Sequence, residues 1–314
     1  MAKIRIVGDA SGYVELSAQN AAGNNTLELP SGSTKLVGSD NSGNIVVGVV
    51  TATSIAGVTT AGITTAYIGA INDGPISGAR NRIINGDMRV DQRNAGASIS
   101  NAAGSISFSV DRWGIFGSQA SKFTAQQNAG SVTPPAGFNY YLGVTSSSAY
   151  TVGASELFYL RQRIEGFNVA DFDFAKSTAK AFTLSFWVRS SLTGTFGGSV
   201  GEPSANTYYT FSYTISSANT WEYKTITIPG YTGASWSGST SSGVGVEITW
   251  GLGVGSTYSG TAGSWTTPAN APLSSTGATS VVGTNGATFY ITGVQLEAGT
   301  VATPFERRSY GQEL

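Results

Sequence analysis

Residues Phe182-Thr183-Leu184-Ser185-Phe186-Trp187-Val188 alternate large apolar side chains with small ones over most of their length. A period of two places one set of side chains on one face of an extended strand, and no helix can bury such a set on a single stripe. The same spacing recurs along the chain. It predicts strands over 99–110, 140–144, 156–164, 181–189, 207–215, 222–228, 245–252 and 288–296, separated by clusters of Gly, Ser and Pro. Eight such strands without a persistent helical period specify an all-β protein, a jelly roll or a related β-sandwich. The run 168–175 is expected to hold at most one helical turn.

The segment before residue 81 has a different texture. Over residues 1–48, the pairs Ile4/Ile6, Val14/Leu16, Leu27/Leu29 and Ile45/Val47 keep the two-residue spacing. Turn formers such as Gly8-Asp9-Ala10-Ser11-Gly12 and Asp40-Asn41-Ser42-Gly43 stand between them. Strands this short bury little alone, so the segment is expected to pair with copies of itself or with another protein. Residues 49–80 are dominated by Thr and small side chains with an aliphatic residue every few positions. A flexible linker, a short helix and a three-chain stalk that buries Ile55, Val58, Ile63 and Ile71 around an axis all fit that pattern. Thr and Gly disfavour the helix. The organisation predicted is a β-rich anchor (1–48), a stalk or linker (49–80) and a sandwich head (81–314).

Composition narrows the chemistry. Histidine and cysteine are both absent, which removes Ser-His-Asp and Cys-His catalysis, histidine metal sites, thiolate metal sites and disulfides. No cofactor is expected. Seventeen basic and 18 acidic residues give a net charge of -1, so neither nucleic acid nor an anionic membrane is an expected partner. No apolar run is long enough to span a bilayer, and none follows Met1-Ala2-Lys3 in the manner of a secretion signal. Charged residues make up 11% of the chain, against roughly 25% in ordinary soluble domains. The surface is therefore polar through hydroxyls and amides, a style that suits virion proteins.

Six motifs, in order, carry a resemblance. They are Asn81-Arg82-Ile83-Ile84-Asn85-Gly86-Asp87-Met88-Arg89-Val90-Asp91-Gln92-Arg93; Val110-Asp111-Arg112-Trp113-Gly114; Gln162-Arg163-Ile164-Glu165-Gly166; Ser185-Phe186-Trp187-Val188-Arg189-Ser190; Thr220-Trp221-Glu222-Tyr223 with Ile226-Thr227-Ile228-Pro229-Gly230; and Gln295-Leu296-Glu297-Ala298-Gly299 running on to Thr303-Pro304-Phe305-Glu306-Arg307-Arg308-Ser309-Tyr310-Gly311. Together they resemble a C-terminal module of tailed-bacteriophage fibre and structural proteins. Residues 1–80 more loosely resemble N-terminal regions of structural proteins from phages of marine cyanobacteria. The resemblance implies a jelly roll similar to galactose-binding and carbohydrate-binding modules, carried on a particle. In some relatives the chain continues past Ser-Tyr-Gly. The end at Leu314 favours a short fibre, on the tail, or a fibre or decoration on the capsid surface.

Candidate site residues follow from these readings. Sugar binding needs exposed aromatic faces, and the Gly/Ser loops offer Tyr231, Trp236, Tyr258 and Trp265; the alternative is that these residues cap the ends of the sandwich or fill a seam between chains. Trp113, Trp187 and Trp221 fall inside or beside alternating strands and are expected in the core. Arg80, Arg82, Arg89 and Arg93, interleaved with Asp87 and Asp91, and Arg307 and Arg308 beside Glu306, are expected to form ion pairs between chains. Asp171, Asp173 and Glu247 are the carboxylates that a two-carboxylate glycosidase would draw on. Asp87, Glu165 and Glu297 are the oxygen donors a structural calcium ion would use, although no spacing among them specifies a metal site. The function expected is that of a non-enzymatic virion protein, a homotrimer held by other virion proteins through residues 1–48, whose head binds host surface glycans. A glycan depolymerase and a cellular carbohydrate-binding protein are the readings from other classes.

Overall fold

Alternation with a period of two does fold into sheets. The computed structural model describes residues 3–7, 13–17, 80–236, 238 and 241–313. The chain divides into two units, Met1–Thr65 and Ala66–Leu314. In the first, β1 (Lys3–Val7) and β2 (Tyr13–Ser17) pair antiparallel, with Ile4 opposite Leu16 and Ile6 opposite Val14. The remaining anchor strands and the stalk 49–79 lie outside the described residues.

The described residues of the second unit form fifteen strands. In chain order they are β3 (Ile99–Ser100), β4 (Ser107–Phe108), β5 (Trp113–Gly117), β6 (Phe123–Gln127), β7 (Leu142–Ser146) and β8 (Leu157–Glu165). After a 3-10 helix over Gly166–Phe172 come β9 (Phe182–Ser190), β10 (Gly194–Glu202), β11 (Thr207–Ile215), β12 (Glu222–Ile228) and β13 (Val244–Val254). The short β14 (Ser259–Gly260), β15 (Trp265–Thr266) and β16 (Ser274–Ser275) precede β17 (Thr288–Ala298). One large sheet runs β15-β11-β10-β13-β8-β5-β4 and a second β12-β9-β17-β7-β6-β3, while β14 and β16 pair parallel in a small sheet of their own. Successive long strands change sheet: β8, β10–β11 and β13 belong to the first, while β9, β12 and β17 belong to the second. That alternation is the jelly-roll path. No helix among the described residues is long and apolar enough to cross a membrane.

The inner faces meet in one aromatic core. Phe186 of β9 stands edge-on to Trp250 of β13 at 5.7 Å, and Phe123 of β6 edge-on to Phe158 of β8 at 6.5 Å. Burying a large ring removes 150 Å² or more of apolar surface from water, and the T-shaped geometry adds ring quadrupole attraction. Most predicted strands lie where the pattern places them. One does not: the expected strand 99–110 is two short pieces, β3 and β4, in opposite sheets. β5, β6 and β10 are strands that the pattern does not predict. β10 is Gly194-Thr195-Phe196-Gly197-Gly198-Ser199-Val200-Gly201-Glu202, whose glycines depress strand propensity. They are there for room: a Cβ on Gly198 would lie 2.1 Å from the carbonyl oxygen of Thr249 and 2.4 Å from the Phe211 ring.

The two ends of this unit close on each other through buried amides and carboxylates. The Asn81 side chain accepts from the amides of Ile83 (2.9 Å) and Leu296 (3.0 Å) and donates to the Val294 carbonyl (3.1 Å). Asn85, in a left-handed conformation (φ 56), donates to the carbonyls of Val90 and Asp111, both at 2.9 Å, and accepts from the Val90 amide. Its own carbonyl receives the Trp113 indole N–H at 3.0 Å, and its amide donates to the buried Glu313 carboxylate. From the other end, Glu297 takes the amide (2.8 Å) and hydroxyl (2.6 Å) of Thr303, and Gln295 takes the Glu306 amide at 2.7 Å. The first and last motifs of the sequence are thus one joint.

The joint yields a stability prediction. Replacing Asn85 by Leu strands the buried Val90 amide and removes a donor from the Val90 and Asp111 carbonyls, with an unsatisfied buried group costing about 1–3 kcal/mol, so Asn85→Leu is expected to destabilise the protein by about 3 kcal/mol in denaturant unfolding. A loss under about 0.5 kcal/mol would show that the joint is dispensable.

Candidate functional site

The outer face of the second sheet, not the loops, carries the most site-like feature. On β9, Phe182, Leu184, Phe186 and Val188 point into the core, which leaves Trp187 on the outside. Tyr223 of β12 pairs with it across the strands, the two rings 5.2 Å apart and inclined at 47°. Tyr223 is 42% exposed. On the opposite side, Phe138 and Phe305 meet edge-to-face at 5.2 Å. Between the two pairs runs a groove of about 410 Å³, lined also by Gly293, Ala302, Thr303, Pro304 and Arg307. Its size falls in the range of small-ligand sites.

A β-bulge makes the floor. Thr292 of β17 pairs with Trp187, but the next pair is Gln295 with Ser185, so β17 carries one residue more than β9. The extra residue turns Thr292 and Gln295, both fully buried, away from the apolar cluster that holds Ile291 and Val294. Gly293 within the bulge has φ 60, and a Cβ there would stand 2.6 Å from the Phe138 ring and 3.1 Å from the Trp187 ring. Glycine meets both demands, the left-handed backbone and the close approach. The third wall belongs to the C-terminal return. The Glu297–Thr303 and Gln295–Glu306 hydrogen bonds turn the chain back over the sheet and set Phe305 and Arg307 at the rim. The Arg307 guanidinium lies 5.0 Å from the Phe138 ring centre and 5.7 Å from that of Phe305.

The loop aromatics proposed from sequence occupy another place. Tyr231 (9% exposed) and Trp236 (7%) are in the core, where their expected exposure is overturned. Trp236 stacks on Phe174 at 4.0 Å, Trp265 lies 5.3 Å from Tyr231 and 5.7 Å from Trp236, and the rings together plug one end of the sandwich. Both indole N–H groups are satisfied by backbone, Trp236 on Gly245 (2.9 Å) and Trp265 on Pro229 (2.7 Å). A glycine-rich loop signals freedom to turn, and this one turns inward because an apolar ring gains more in the core than in water. Tyr258 stands apart, half-buried on the 3-10 turn Ser256–Tyr258. Of the tryptophans expected inside, Trp113 is fully buried, while Trp187 and Trp221 are only half-buried.

The arginines named from sequence also have partners within the chain. Arg82 pairs with Asp171 (2.7 Å), Arg89 with Asp87 (3.2 Å) and Glu313 (3.9 Å), and Arg308 with Glu313 (3.1 Å). Arg80 donates to the Thr303 hydroxyl at 3.1 Å, and Arg93 lies over the Phe108 ring at 5.3 Å. The return of residues 303–313 brings Thr303, Arg308 and Glu313 to Arg80 and Arg89, over 200 positions away in sequence, while Asp87, Asp171 and Phe108 supply the other contacts.

The carboxylates named for hydrolysis are held by cations. Glu247 receives Arg161 at 2.9 Å and Arg163 at 2.5 Å, Asp171 receives Arg82, and Asp173 receives Lys176 at 2.6 Å. The Lys176 hydrogen bond holds the Asp173 carboxyl below its ordinary 3.8, the wrong direction for a general acid. Arg161, Arg163, Arg112 and Glu165 border a smaller hollow of about 160 Å³ on the outer face of the first sheet. Its arginines are tied to Glu247 and Glu165. Burial pushes the neighbouring Tyr159 phenol up to about 12. The oxygen donors considered for calcium do not converge. Asp87 faces Arg89 and Arg307, Glu165 faces Arg112, Glu297 faces Thr303, and no group of three metal-ligating side chains occurs among the described residues.

No protein-family model and no curated protein matches the sequence. Solved structures similar to the chain include the enzymatically active domain of tailspike protein 4 of bacteriophage CBA120, at 14% identity and a TM-score of 0.38, over 74% of this chain and 24% of that one. The chain spans about a quarter of that tailspike's length. Others are TmCBM61 in complex with β-1,4-galactotriose (12% identity, TM-score 0.32, 60% of this chain and 89% of that one) and a family 11 carbohydrate-binding module from Clostridium thermocellum in complex with a β-1,3-1,4-mixed-linked tetrasaccharide (11%, 0.32, 66% and 98%).

Burial separates the aromatics by role, and this is measurable. Trp236→Ala is expected to cost about 3–5 kcal/mol of stability, as an emptied aromatic site does. Tyr258→Ala is expected to stay within about 1 kcal/mol of the parent protein. Equal costs in thermal unfolding would contradict the assignment.

Proposed function

We propose that the head is a non-enzymatic glycan-binding module of a phage virion protein, and that the sugar chain lies in the groove between Trp187–Tyr223 and Phe138–Phe305. One observation carries this reading: two pairs of partly exposed aromatic rings face a single open groove on a rigid sheet. Pyranose rings have apolar faces formed by C–H groups, which gain from contact with an aromatic ring, and hydroxyl edges that stay in water. A flat, open groove suits a chain of such rings better than a closed apolar pocket would. Strand placement of Trp187 and Tyr223 fixes their geometry before the ligand arrives, so little side-chain entropy is lost on binding.

Binding without hydrolysis is supported by the residues at hand. Glycoside hydrolysis needs two carboxyl groups flanking the scissile bond, and no carboxylate is among the described residues that line the groove. The virion role rests on the six ordered motifs and on a leader whose short β pairs and Thr-rich run suit a three-chain fibre anchored through residues 1–48.

Two measurements test the proposal. In calorimetric titrations of the full chain against host surface polysaccharide, Trp187→Ala and Tyr223→Ala are each expected to weaken binding by about tenfold, ~1.4 kcal/mol, with circular dichroism unchanged. Undiminished binding in both variants would remove the groove as the site. Light scattering after size exclusion is expected to return three times the mass of one chain, and a stable monomer at low concentration would overturn the trimer.

A further inference from the structure

Resting on the reading of the groove as a glycan site, we propose that it selects glycans whose sugar rings carry an acidic substituent, carboxylate or sulfate, and that Arg307 is the residue that reads it. The groove has a sign. Arg307 is the only charged side chain among the described residues that line it. A groove built for a neutral sugar chain is lined by amides, hydroxyls or carboxylates that accept from sugar hydroxyls. Besides the Tyr223 phenol and a Thr303 hydroxyl already engaged by Glu297, this one offers a guanidinium and apolar rings.

The way Arg307 is held supports the same conclusion. Its guanidinium lies over Phe138 and Phe305 and donates to the Gly137 carbonyl. Those contacts fix its direction and satisfy one of five N–H donors. The nearest carboxylate, Asp87, is 3.9 Å away, beyond hydrogen-bond reach, and is engaged more closely by Arg89 at 3.2 Å. Arg89, Arg307 and Arg308 share the carboxylates of Asp87 and Glu313, so this group carries one positive charge in excess, and Arg307 is its member without a carboxylate in hydrogen-bond reach. Arg307 is 52% exposed at its side chain, so the unused part of the donor fork faces outward. A planar fork of donors binds carboxylate or sulfate through two parallel hydrogen bonds, which an ammonium group cannot do. The rings beside it give the neutral part of the same sugar a face to rest on.

Calorimetry on the full chain distinguishes the inference from the reading beneath it. Three tetrasaccharides serve as probes: oligogalacturonate, the same oligosaccharide with its carboxylates methyl-esterified, and a sulfated galactan fragment. The acid is expected to bind about tenfold tighter than its ester at low salt, with the ratio shrinking as salt screens the exposed charge. Arg307→Gln is expected to bring that ratio near one, and Arg307→Lys to keep part of it. Tighter binding of the sulfated fragment than of the uronate supports the inference with sulfate as the source, and the reverse order supports it with carboxylate. Acid and ester bound equally well would overturn the charge selection while the glycan reading stands. Binding of none of the three would overturn both.

Discussion

Closure of the sandwich depends on a set of buried polar groups that are useless apart. Asn81, Asn85, Gln295, Glu297 and Glu313 are each almost entirely out of water, where an unmatched amide or carboxylate is costly. Asn81 is matched across the joint by Val294 and Leu296, and Glu313 by the Asn85 amide, while Gln295 and Glu297 are matched by Thr303 and Glu306 of the C-terminal return; the Asn85 carbonyl also fixes Trp113 in the core. The arginines of both ends then bridge the seam from outside. A groove follows from this constraint, because the C-terminal return that completes the joint is the same segment that lays Phe305 and Arg307 over β9, β12 and β17. The fold and the candidate site share one fastening.

Much of the architecture was legible from spacing alone. A period of two needs no tertiary knowledge, and β8, β9, β11, β12, β13 and β17 lie where it puts them. It failed where a strand is shaped by its neighbours. β10 reads as a loop because Gly197, Gly198 and Gly201 are loop residues by propensity, yet they are strand residues by necessity where β11, β13 and β16 crowd the backbone. The site was less legible. Loop position suggested exposure for Tyr231 and Trp236, but exposure is decided by what packs against a ring, and Phe174 is a non-local neighbour. Trp187 carried a signal that was available: it breaks the alternation of large and small residues, standing at an outward position of β9 with Tyr223 predicted on another strand. Arg307 was noticed for its charge, and its aromatic setting arises only from the return of the chain.

The two outer faces of the sandwich illustrate how similar residues come to different uses. On the first sheet, Arg161 and Arg163 share Glu247 and Arg112 pairs with Glu165, so each guanidinium is tied to a carboxylate within hydrogen-bond reach, and buried or half-buried pairs of this kind hold strands in register more than they bind anything. On the second sheet, aromatic rings stand partly in water with a single cation beside them. Exposed rings cost solvation free energy that natural surfaces rarely retain without a ligand or partner to cover them. That contrast is why the second face, and not the more highly charged first one, is assigned to recognition.

The claim at the centre of this account is that glycan lies against Trp187. The chain has six tryptophans, Trp113, Trp187, Trp221, Trp236, Trp250 and Trp265, so fluorine NMR of protein labelled at the indoles, titrated with oligogalacturonate and with the sulfated galactan fragment, reads all of them at once. Trp187 is expected to show the largest shift in the presence of the bound oligosaccharide, with the Trp236 and Trp265 resonances of the end plug unmoved. Shifts confined to Trp236 and Trp265, or a Trp187 resonance that stays in place at saturation, would contradict it.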